Sequence, residues 1–355
     1  MVDFDAIVVG GGPAGATTAI TCSKLGLEVL LVERGDVGRR KPCGGVLPPI
    51  CADEISDAVG RGMPERVMCS PRELGLYYVP PSGMENGGRV RNYRLLNVNR
   101  DSLDQWLRDL AEEEGAQIRY ETSFIGFKQL DRLQVVLGDK DGGTVKMTTR
   151  YLIGADGVYS RVRRQLYGAE DRFLHVMQEH LKAEGDFEDC FYAVFRGEIS
   201  PTYGYIIPKD GLLVVGVGVP QPCSTSIFVY INRFKEWLTE EFAFKQTSLE
   251  RREVWAIPYG FVRKGVGDVL LVGDAAGLCN PLSGEGVRLA IKSGEAAGNS
   301  ILEAVQEGKA PSVFYNHHIE HRARFLRRIH RFASSLTDEG REAFVKSELS
   351  RVSLY

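Results

Sequence analysis

Asp5-Ala6-Ile7-Val8-Val9-Gly10-Gly11-Gly12-Pro13-Ala14-Gly15 is the stretch that decides the fold. Its apolar residues predict a buried parallel strand that runs directly into the pattern G-x-G-x-x-G. In this pattern Gly10 permits a tight turn, Gly12 lets the backbone approach a pyrophosphate, and Gly15 lets the next helix pack closely. Because the N-terminus of that helix offers free N–H groups and positive dipole charge to phosphates, the stretch predicts a dinucleotide site.

The residues that follow support this prediction over its alternative, an ordinary strand-helix turn. Residues 14–25 are expected to form a helix that Gly26 ends, and residues 28–33 form a second apolar strand ending in an acid. That acid, Glu33, lies 33 − 15 = 18 residues after Gly15. A carboxylate at this distance is placed to bind the ribose hydroxyls of an adenosine.

Length and composition exclude several other classes of protein. The chain has 355 residues, enough for about two domains, and its 44 basic and 47 acidic residues give a net charge of −3, which argues against a nucleic-acid partner. Its seven cysteines form no C-x-x-C pair, so neither a disulfide framework nor a zinc site is indicated and no metal is expected. Without a signal peptide or a run of about 18 apolar residues, we expect a cytoplasmic protein whose membrane contact is at most peripheral.

Two further features near the N-terminus are open to more than one interpretation. The basic, glycine-rich loop at 35–46 is either a lid over phosphates or a mobile connection, and it holds Cys43 on a flexible backbone. Arg100 stands where a strand gives way to a predicted helix at 103–114. It is either an exposed arginine near a helix cap or a partner for the pyrophosphate.

The strand-then-acid design occurs twice more along the chain. An apolar strand at 150–154 leads into Asp156-Gly157, and another at 269–272 leads into Gly273-Asp274. Soon after the second, residues 281–287 open a long helix rich in small residues. Carboxylates and helical N–H groups are therefore expected at the same crevice as the opening motif.

The middle of the chain, about 172–255, has no phosphate-type loop. Alternating strands are predicted at 191–198, 203–208 and 212–219, followed by a helix at 227–243 with Trp237 facing inward. We interpret this section as a layer that faces a substrate.

The C-terminal segment predicts one amphipathic helix at 314–336. Its apolar positions are taken as Phe325, Ile329, Phe332 and Leu336, with five arginines among them. The plainer interpretation is a packed helix with a solvated basic face; the other is a patch that meets anionic lipid.

Taken together, the motifs resemble those of the FAD-dependent geranylgeranyl reductase family, within the para-hydroxybenzoate hydroxylase type of flavoprotein, and most of all its short bacterial CbrA-type members. The resemblance covers nearly the whole chain. Its specific parts are G-A-D-G-x-x-S-x-V-R at 154–163, G-D-A-A-G at 273–277, Lys-Pro-Cys-Gly-Gly at 41–45, Asn-Arg at 99–100, and Tyr-Gly-Tyr-Ile-Ile-Pro-Lys at 203–209.

The resemblance implies an α/β fold in which a Rossmann-like FAD-binding domain of the glutathione reductase and para-hydroxybenzoate hydroxylase type is interleaved with a β-sheet substrate domain. The expected division is 1–70, 93–171 and 256–310 for FAD binding, 71–92 and 172–255 for the substrate sheet, and 311–355 for basic amphipathic helices.

The resemblance also implies roles for individual residues. Contacts to the ADP half of FAD fall to Gly10, Gly12, Pro13, Ala14, Gly15, Glu33, Arg34, Arg100 and Phe124. Contacts to the rest of the cofactor fall to Asp156, Gly157, Gly273, Asp274, Gly286 and Val287, while Cys43, Gly44 and Gly45 face the flavin ring, with Cys43 the candidate catalytic residue. The candidate substrate wall is Tyr203, Tyr205, Pro208 and Trp255.

The function implied is reduction of carbon–carbon double bonds in an isoprenoid or other apolar substrate by hydride from reduced flavin. The electron donor, ferredoxin or NAD(P)H, is open, since no second G-x-G-x-x-G follows a strand. One alternative is an FAD-dependent aromatic hydroxylase; another is a flavin-bearing lipid-binding or regulatory protein at the membrane surface. Tyr205 and Ile207 stand where the family often has tryptophan and phenylalanine, which leaves substrate identity open.

Overall fold

The computed structural model describes residues 2–168 and 171–350. Within them the strands, in chain order, are β1 (Phe4–Val9), β2 (Val29–Val32), β3 (Val46–Leu47), β4 (Met68–Val79), β5 (Gly88–Val98), β6 (Gln117–Arg119), β7 (Ser123–Gln129), β8 (Leu133–Gly138), β9 (Thr144–Gly154), β10 (Phe173–Glu184), β11 (Cys190–Val194), β12 (Gly204–Lys209), β13 (Leu212–Pro220), β14 (Lys245–Pro258), β15 (Gly265–Val266) and β16 (Val269–Leu271). The helices are α1 (Pro13–Lys24), α2 (Cys51–Val59), α3 (Arg100–Glu113), α4 (Arg161–Tyr167), α5 (Ile227–Phe242), α6 (Val287–Glu307), α7 (Pro311–Ser335) and α8 (Asp338–Ser350).

The first sheet brings the three predicted strand ends to one edge. Its order is β15-β16-β9-β1-β2-β6, with β7 and β8 joined to β9, and the pairs from β16 to β6 are parallel. Val9 is in register with both Val32 and Gly154, and Gly154 with Leu271. The four strands therefore end level, and the polar residues that follow them share one crevice.

Helices α1 and α6 pack closely above this edge because α6 carries glycines at the contact. A Cβ atom on Gly294 would lie 2.4 Å from the carbonyl oxygen of Ala14, and one on Gly298 would lie 2.6 Å from the side chain of Thr21. The small residues that the sequence places in this helix thus bring its N-terminus toward that of α1.

The second sheet has the order β14-β10-β13-β12-β11-β4-β5-β3. Helix α5 covers one face with Ile231, Phe234 and Leu238 and with Trp237, which is buried as predicted. The other face looks toward the first sheet. This α/β architecture with two sheets agrees with the fold class expected from the sequence.

Several boundaries differ from those expected, since residues 46–47, 68–70 and 256–258, expected in the FAD-binding part, lie on strands of the second sheet. The strand predicted at 191–198 ends at Val194, because the chain turns there: Phe195 N–H donates to the carbonyl of Val79, and Ile199 and Ser200 N–H donate to that of Arg196. Residues 93–98, assigned above to the FAD-binding part, continue β5 in the second sheet.

The C-terminal segment forms two helices, and its buried face differs from the predicted one. Tyr315, Ile319, Ala323 and Leu326 are buried against the first sheet and α6, whereas Phe325 and Phe332 are 46% and 41% exposed. The predicted face was wrong because two adjacent apolar stripes run along α7. The stripe that begins at Tyr315 faces the protein, and the predicted stripe that begins at Phe325 does not. Residues 351–355 of this segment lie outside the described part of the chain.

Across the described ranges, every helix is too short or too polar to cross a bilayer.

Candidate functional site

A large cavity of about 1050 Å³ lies between the C-terminal edge of the first sheet and the open face of the second. It brings together most of the residues that the sequence singles out. Its walls include Gly10, Gly12, Pro13, Ala14, Glu33, Arg34, Cys43, Gly44, Gly45, Arg100, Phe124, Asp156, Gly157, Tyr203, Tyr205, Trp255, Asp274, Gly286 and Val287. Three candidates, Gly15, Pro208 and Gly273, lie behind the walls.

The opening glycines have the packing that their positions predict. Gly10 has φ +106°, and a Cβ there would lie 2.3 Å from the carbonyl oxygen of Ala155. A Cβ on Gly15 would lie 1.9 Å from the Gly10 oxygen, so helix and strand touch directly. On Gly12, in contrast, a Cβ would meet only Nη2 of Arg39 at 3.4 Å, and no side chain caps the helix there. This open, uncapped N-terminus of α1 fits a pyrophosphate.

Glu33 is held at the end of β2 by backbone donors. Its Oε2 accepts a 2.8 Å hydrogen bond from the N–H of Gly11, and its Oε1 accepts one of 2.9 Å from Gly35. The side chain is nearly buried, yet it reaches the cavity wall. A carboxylate has about four acceptor sites, so it keeps capacity for ribose hydroxyls, and this donor and acceptor set fits the adenosine end of FAD.

Arg100 is occupied by a partner on its own helix. Its Nε and Nη2 lie 3.0 and 2.9 Å from Oδ1 of Asp104, and the side chain of Cys43 is near enough to influence its pKa. Burial, the largest single influence, lowers the pKa of Arg100, but the charge and hydrogen bonds of Asp104 together with the Cys43 side chain outweigh it and raise that pKa above its ordinary value. Arg100 is therefore placed between α3 and the Cys43 loop, at the cavity wall.

Arg39 is a second arginine at this end of the cavity, which the sequence reasoning did not single out. Its guanidinium lies over Gly12, in ion pairs of 2.9 Å with Glu33 and 3.2 Å with Asp104. The only sign of it in the sequence is the basic, glycine-rich character of the loop at 35–46, which does not distinguish Arg39 from the other basic residues. Position and charge make Arg39 a stronger candidate than Arg100 for contact with the pyrophosphate.

Asp156 accepts hydrogen bonds at the start of α4, and the next residue, Gly157, is open to the cavity. Its carboxylate accepts hydrogen bonds of 2.5 Å from the Ser160 hydroxyl and 2.7 Å from the N–H of Arg161, at the start of α4. Burial raises the pKa of Asp156. Gly157 has φ +76° and no atom within 4 Å of a Cβ position, so its backbone faces free space. Phe124, which is expected to contact the ADP half of FAD, also lines the cavity, and its carbonyl accepts a hydrogen bond of 3.1 Å from Nη1 of Arg161.

The last strand end contributes a carboxylate beside a second uncapped helix. Gly273 packs against the side chain of Ala14 and donates its N–H to Ser293, which explains its place behind the wall. Asp274 does face the cavity, 3.4 Å from the Cβ position of Gly286. Gly286 is the N-cap of α6 and has no side-chain cap, so N–H groups of this 21-residue helix point at the cavity.

The loop of Cys43 lies between the two sheets. The Cys43 sulfur accepts a 3.4 Å hydrogen bond from the N–H of Gly45, and a Cβ on Gly44 would lie 2.8 Å from Cδ1 of Ile207. Gly45 has φ +66° and a Cβ there would clash with the Val98 carbonyl. Gly45 is thus required for the loop to carry the thiol to the point where the sheets meet, while Gly44 lets the loop pack closely on the end of the Ile207 side chain.

Three of the four predicted substrate-wall residues line the cavity, and Pro208 does not. Because side chains alternate across a strand, Tyr205 and Ile207 of β12 face the cavity while Pro208 faces away; the Pro208 carbonyl accepts a hydrogen bond of 3.1 Å from Asn97. Tyr203 and Trp255 complete the wall with neighbouring aromatic residues, among them Phe191.

A row of polar side chains crosses the second sheet behind Tyr205. The Tyr205 hydroxyl donates to Oε1 of Gln178 at 3.0 Å, and Nε2 of Gln178 donates to Glu253 at 2.7 Å. His180 also lies 3.2 Å from Glu253. Burial opposes ionisation of Glu253, but the hydrogen bonds from His180 and Gln178 and the charge of Arg251 outweigh burial and lower its pKa. Burial raises the pKa of Tyr205 well above its ordinary value, so its hydroxyl is neutral.

Comparison with known proteins is consistent with this geometry. Residues 3–183 match the family model described as an FAD binding domain. The geranylgeranyl diphosphate reductase of Rhodobacter capsulatus is 30% identical over 317 residues, which cover 86% of this chain and 77% of the relative. Protein CbrA of Escherichia coli is 26% identical, over 87% of this chain and 84% of the relative.

Solved structures share the fold. A geranylgeranyl bacteriochlorophyll reductase-like protein from Thermoplasma acidophilum superposes with a TM-score of 0.83 and 22% identity, over 98% of this chain and 92% of that one. PqsL of P. aeruginosa follows with a TM-score of 0.71 and 20% identity, over 97% and 99% of the two chains. By its sequence match and its relatives, the chain belongs to the FAD-binding geranylgeranyl reductase family and is an FAD-dependent oxidoreductase.

Proposed function

We propose that the protein uses FAD to reduce carbon–carbon double bonds in an apolar, isoprenoid-type substrate. The observation that carries this proposal is the chemistry of the wall facing the Cys43 loop. Among the described residues, the strands of the second sheet give this wall apolar, aromatic, hydroxyl and glycine residues and one imidazole, His175, but no carboxylate, lysine or arginine. Such a surface binds an uncharged hydrocarbon chain. Relatives named geranylgeranyl diphosphate reductases support the same substrate class.

We propose that FAD lies along the cavity with its ADP half at the first strand ends. Contacts to this half come from Gly10, Gly12, Pro13, Ala14, Glu33, Arg34, Arg39, Arg100 and Phe124, with Gly15 supporting the turn. Toward the other half, contacts come from Asp156, Gly157, Asp274, Gly286, Val287 and the Cys43-Gly44-Gly45 loop, with Gly273 behind them.

When bound, FAD supplies the hydride, and the second hydrogen added to the double bond comes as a proton from water or a nearby group. The chain's own contribution is binding, orientation and electrostatics. The uncapped N-terminus of α6 at Gly286 directs N–H groups and positive dipole charge into the cavity, which stabilises negative charge without rearrangement. The apolar wall of Tyr203, Tyr205 and Trp255 excludes water from the substrate, while Cys43 lines the cavity opposite this wall and is our candidate catalytic residue.

We propose that the electron donor docks transiently, as a ferredoxin or as NAD(P)H. The support is the basic segment beside the cavity mouth, in which Arg34 and Arg40 are exposed and Lys41 is half-buried. Both donor types carry negative charge, so either is attracted to this loop. Mixing the holoenzyme without oxygen with each donor, and following loss of flavin absorbance, distinguishes the two.

We also propose a peripheral contact between α7 and anionic lipid at the inner membrane surface. Phe325, Arg328 and Phe332 lie on one exposed face of this helix, since they are three and seven residues apart. An apolar stripe with cations beside it fits the interface of an anionic bilayer. Flotation with vesicles of phosphatidylcholine, with and without phosphatidylglycerol, tests this contact, and equal flotation of Phe325→Ser and the parent chain would contradict it.

Anaerobic turnover tests the function itself. Reduced holoenzyme is mixed with geranylgeraniol, without oxygen, and the product is analysed by mass. A gain of about 2 Da per double bond, together with reoxidation of the flavin, is the expected result. An oxygen-sized gain seen only in air would identify an aromatic-hydroxylase type of chemistry instead. Binding of lipid with no reoxidation by any polyprenyl compound would leave the lipid-binding alternative.

A further inference from the structure

A second cavity, of about 250 Å³, adjoins the substrate end of the large one. Its outer wall is the end of α7, and its inner wall is shared with the large cavity. The shared residues are Phe195, Thr202, Tyr203, Pro281 and Leu282. These residues form the wall between the two cavities, and Tyr203 is the largest side chain in that wall.

Tyr203 holds the division closed through one hydrogen bond. Its hydroxyl donates to the carbonyl of Ser283 at 2.7 Å, and its ring packs against those of Phe195 and Tyr205 at 5.6 and 6.3 Å between centroids. Gly284, with φ +71°, lies directly after the accepting residue. The hydrogen bond to Ser283 therefore fixes the Tyr203 ring between the two cavities.

The outer side of the small cavity opens toward apolar surface. The last turn of α7 contributes the small residues Ala333 and Ser334 to its wall. Next to them, Phe332 is 41% exposed and packs on Phe344, which in turn packs on Phe195, at 6.1 and 5.5 Å between ring centroids. Aromatic contacts therefore run without a break from the exposed face of α7 to the wall of the large cavity.

The lining of the small cavity suits an uncharged chain. Pro220, Tyr259, Leu282 and Leu336 are apolar or aromatic. Its one cation, Arg341, is already engaged, since its guanidinium donates to Asp338 at 3.0 Å and to the carbonyl of Pro201. A charged headgroup thus finds no free counter-charge among these residues, and the hydroxyls of Thr202 and Ser334 are bonded to the carbonyls of Gly218 and His330. A hydrocarbon segment finds the apolar part of the wall, with these engaged polar groups beside it.

We propose that the small cavity is a binding site for one end of the apolar substrate and the entrance through which that substrate reaches the large cavity, with Tyr203 as the gate. This inference rests on the proposed function, because it needs an apolar chain long enough to occupy both spaces. It assigns to the α7 end of the molecule a role in substrate entry and not in flavin binding.

The experiment measures association of geranylgeraniol with oxidised holoenzyme by stopped-flow, using the change in flavin absorbance when the chain arrives. Ala333→Phe fills the small cavity from its outer wall and is expected to slow association about tenfold or more. Tyr203→Phe removes the bond to Ser283 and is expected to speed association. Val313→Phe, at a 55% exposed position near the start of α7, adds the same ring away from the cavity and leaves the rate unchanged.

The outcomes separate this inference from the function on which it rests. If geranylgeraniol perturbs the flavin of the parent chain, but Ala333→Phe and Tyr203→Phe associate at the parent rate, the entrance is overturned and the function stands. If geranylgeraniol does not perturb the flavin of the parent chain at all, both fall together. Flavin content and thermal melting show whether the Ala333→Phe variant has folded. If it has not, the Tyr203→Phe variant decides the question: faster association than in the parent chain supports the entrance, and an unchanged rate overturns it.

Discussion

The hydroxyl of Tyr205 donates a 3.0 Å hydrogen bond to Gln178 two strands away, across the bare backbone of Gly216. Tyr205 pairs with Gly216, Gly216 with Gln178, and Gln178 with Glu253, so all four residues form one row across β12, β13, β10 and β14. A side chain at position 216, on β13, would occupy the space of the Tyr205 ring. The row therefore fixes the ring of Tyr205 as part of the cavity wall.

Replacing Gly216 by alanine tests this relationship. The new Cβ would lie 2.2 Å from Cζ and 2.4 Å from the hydroxyl oxygen of Tyr205, so the ring must leave Gln178. We expect a loss of about 1–3 kcal/mol in the free energy of unfolding, typical of an overpacked core. Chemical denaturation measures it. Gly62→Ala, where nothing lies within 4 Å, is the control and changes stability little; equal effects of the two substitutions would refute the steric relationship.

Glu253→Gln tests the electrostatics of the same row. Because the folded protein holds the pKa of Glu253 below its ordinary value of 4.5, the carboxylate contributes stability that is complete above that value and is lost as the pH falls through the lowered pKa. The melting temperature of the variant should therefore lie below that of the parent chain at about pH 7, and the gap should narrow toward about pH 3. The exposed Glu240→Gln serves as control, and a gap that stays constant with pH would contradict the assignment.

The first sheet and the nucleotide end of the cavity follow from local sequence. Strands β1, β2, β9 and β16 are short apolar runs that end in glycine or acid, and such ends meet at one edge in any parallel sheet. Gly10, Glu33 and Asp274 could be placed at the crevice for this reason, before any packing was known. The prediction for Pro208 was wrong, because strand alternation places its side chain on the face opposite to those of Tyr205 and Ile207.

Residues brought together by distant packing were not predictable in this way. Gln178, Gly216 and Glu253 lie on three strands whose register depends on the whole second sheet, and no local pattern marks them as partners of Tyr205. The buried face of α7 was misjudged for a related reason. Its periodicity fits two stripes equally, and only contact with α6 and the first sheet selects Tyr315 and Ile319 over Phe325.

Arg39 is predicted to matter more for FAD affinity than its neighbour in the sequence. It lies over Gly12 at the uncapped N-terminus of α1, whereas the side chain of Arg40 is 67% exposed and 3.8 Å from Asp101. We expect Arg39→Gln to raise the dissociation constant of FAD about tenfold, or about 1.4 kcal/mol, because a desolvated cation near the pyrophosphate is lost. Fluorescence titration of apoprotein with FAD measures this. Arg40→Gln is the matched control. A comparable loss of FAD affinity in that variant would show that FAD binding depends on the net charge of the loop and not on the position of Arg39.

Cys43→Ala is predicted to lower turnover without removing the cofactor. The thiol lies at the meeting point of the sheets, held by the N–H of Gly45, and it faces the cavity between the proposed flavin and substrate positions. We expect the flavin content and melting temperature to stay near those of the parent chain and the anaerobic reoxidation of reduced flavin by geranylgeraniol to slow about tenfold or more, equivalent to at least about 1.4 kcal/mol in the barrier. Cys223→Ala removes a half-buried thiol that is absent from the cavity wall and should be neutral. If Cys43→Ala instead loses FAD and keeps its rate per bound flavin, the cysteine loop holds the cofactor and takes no part in the reaction.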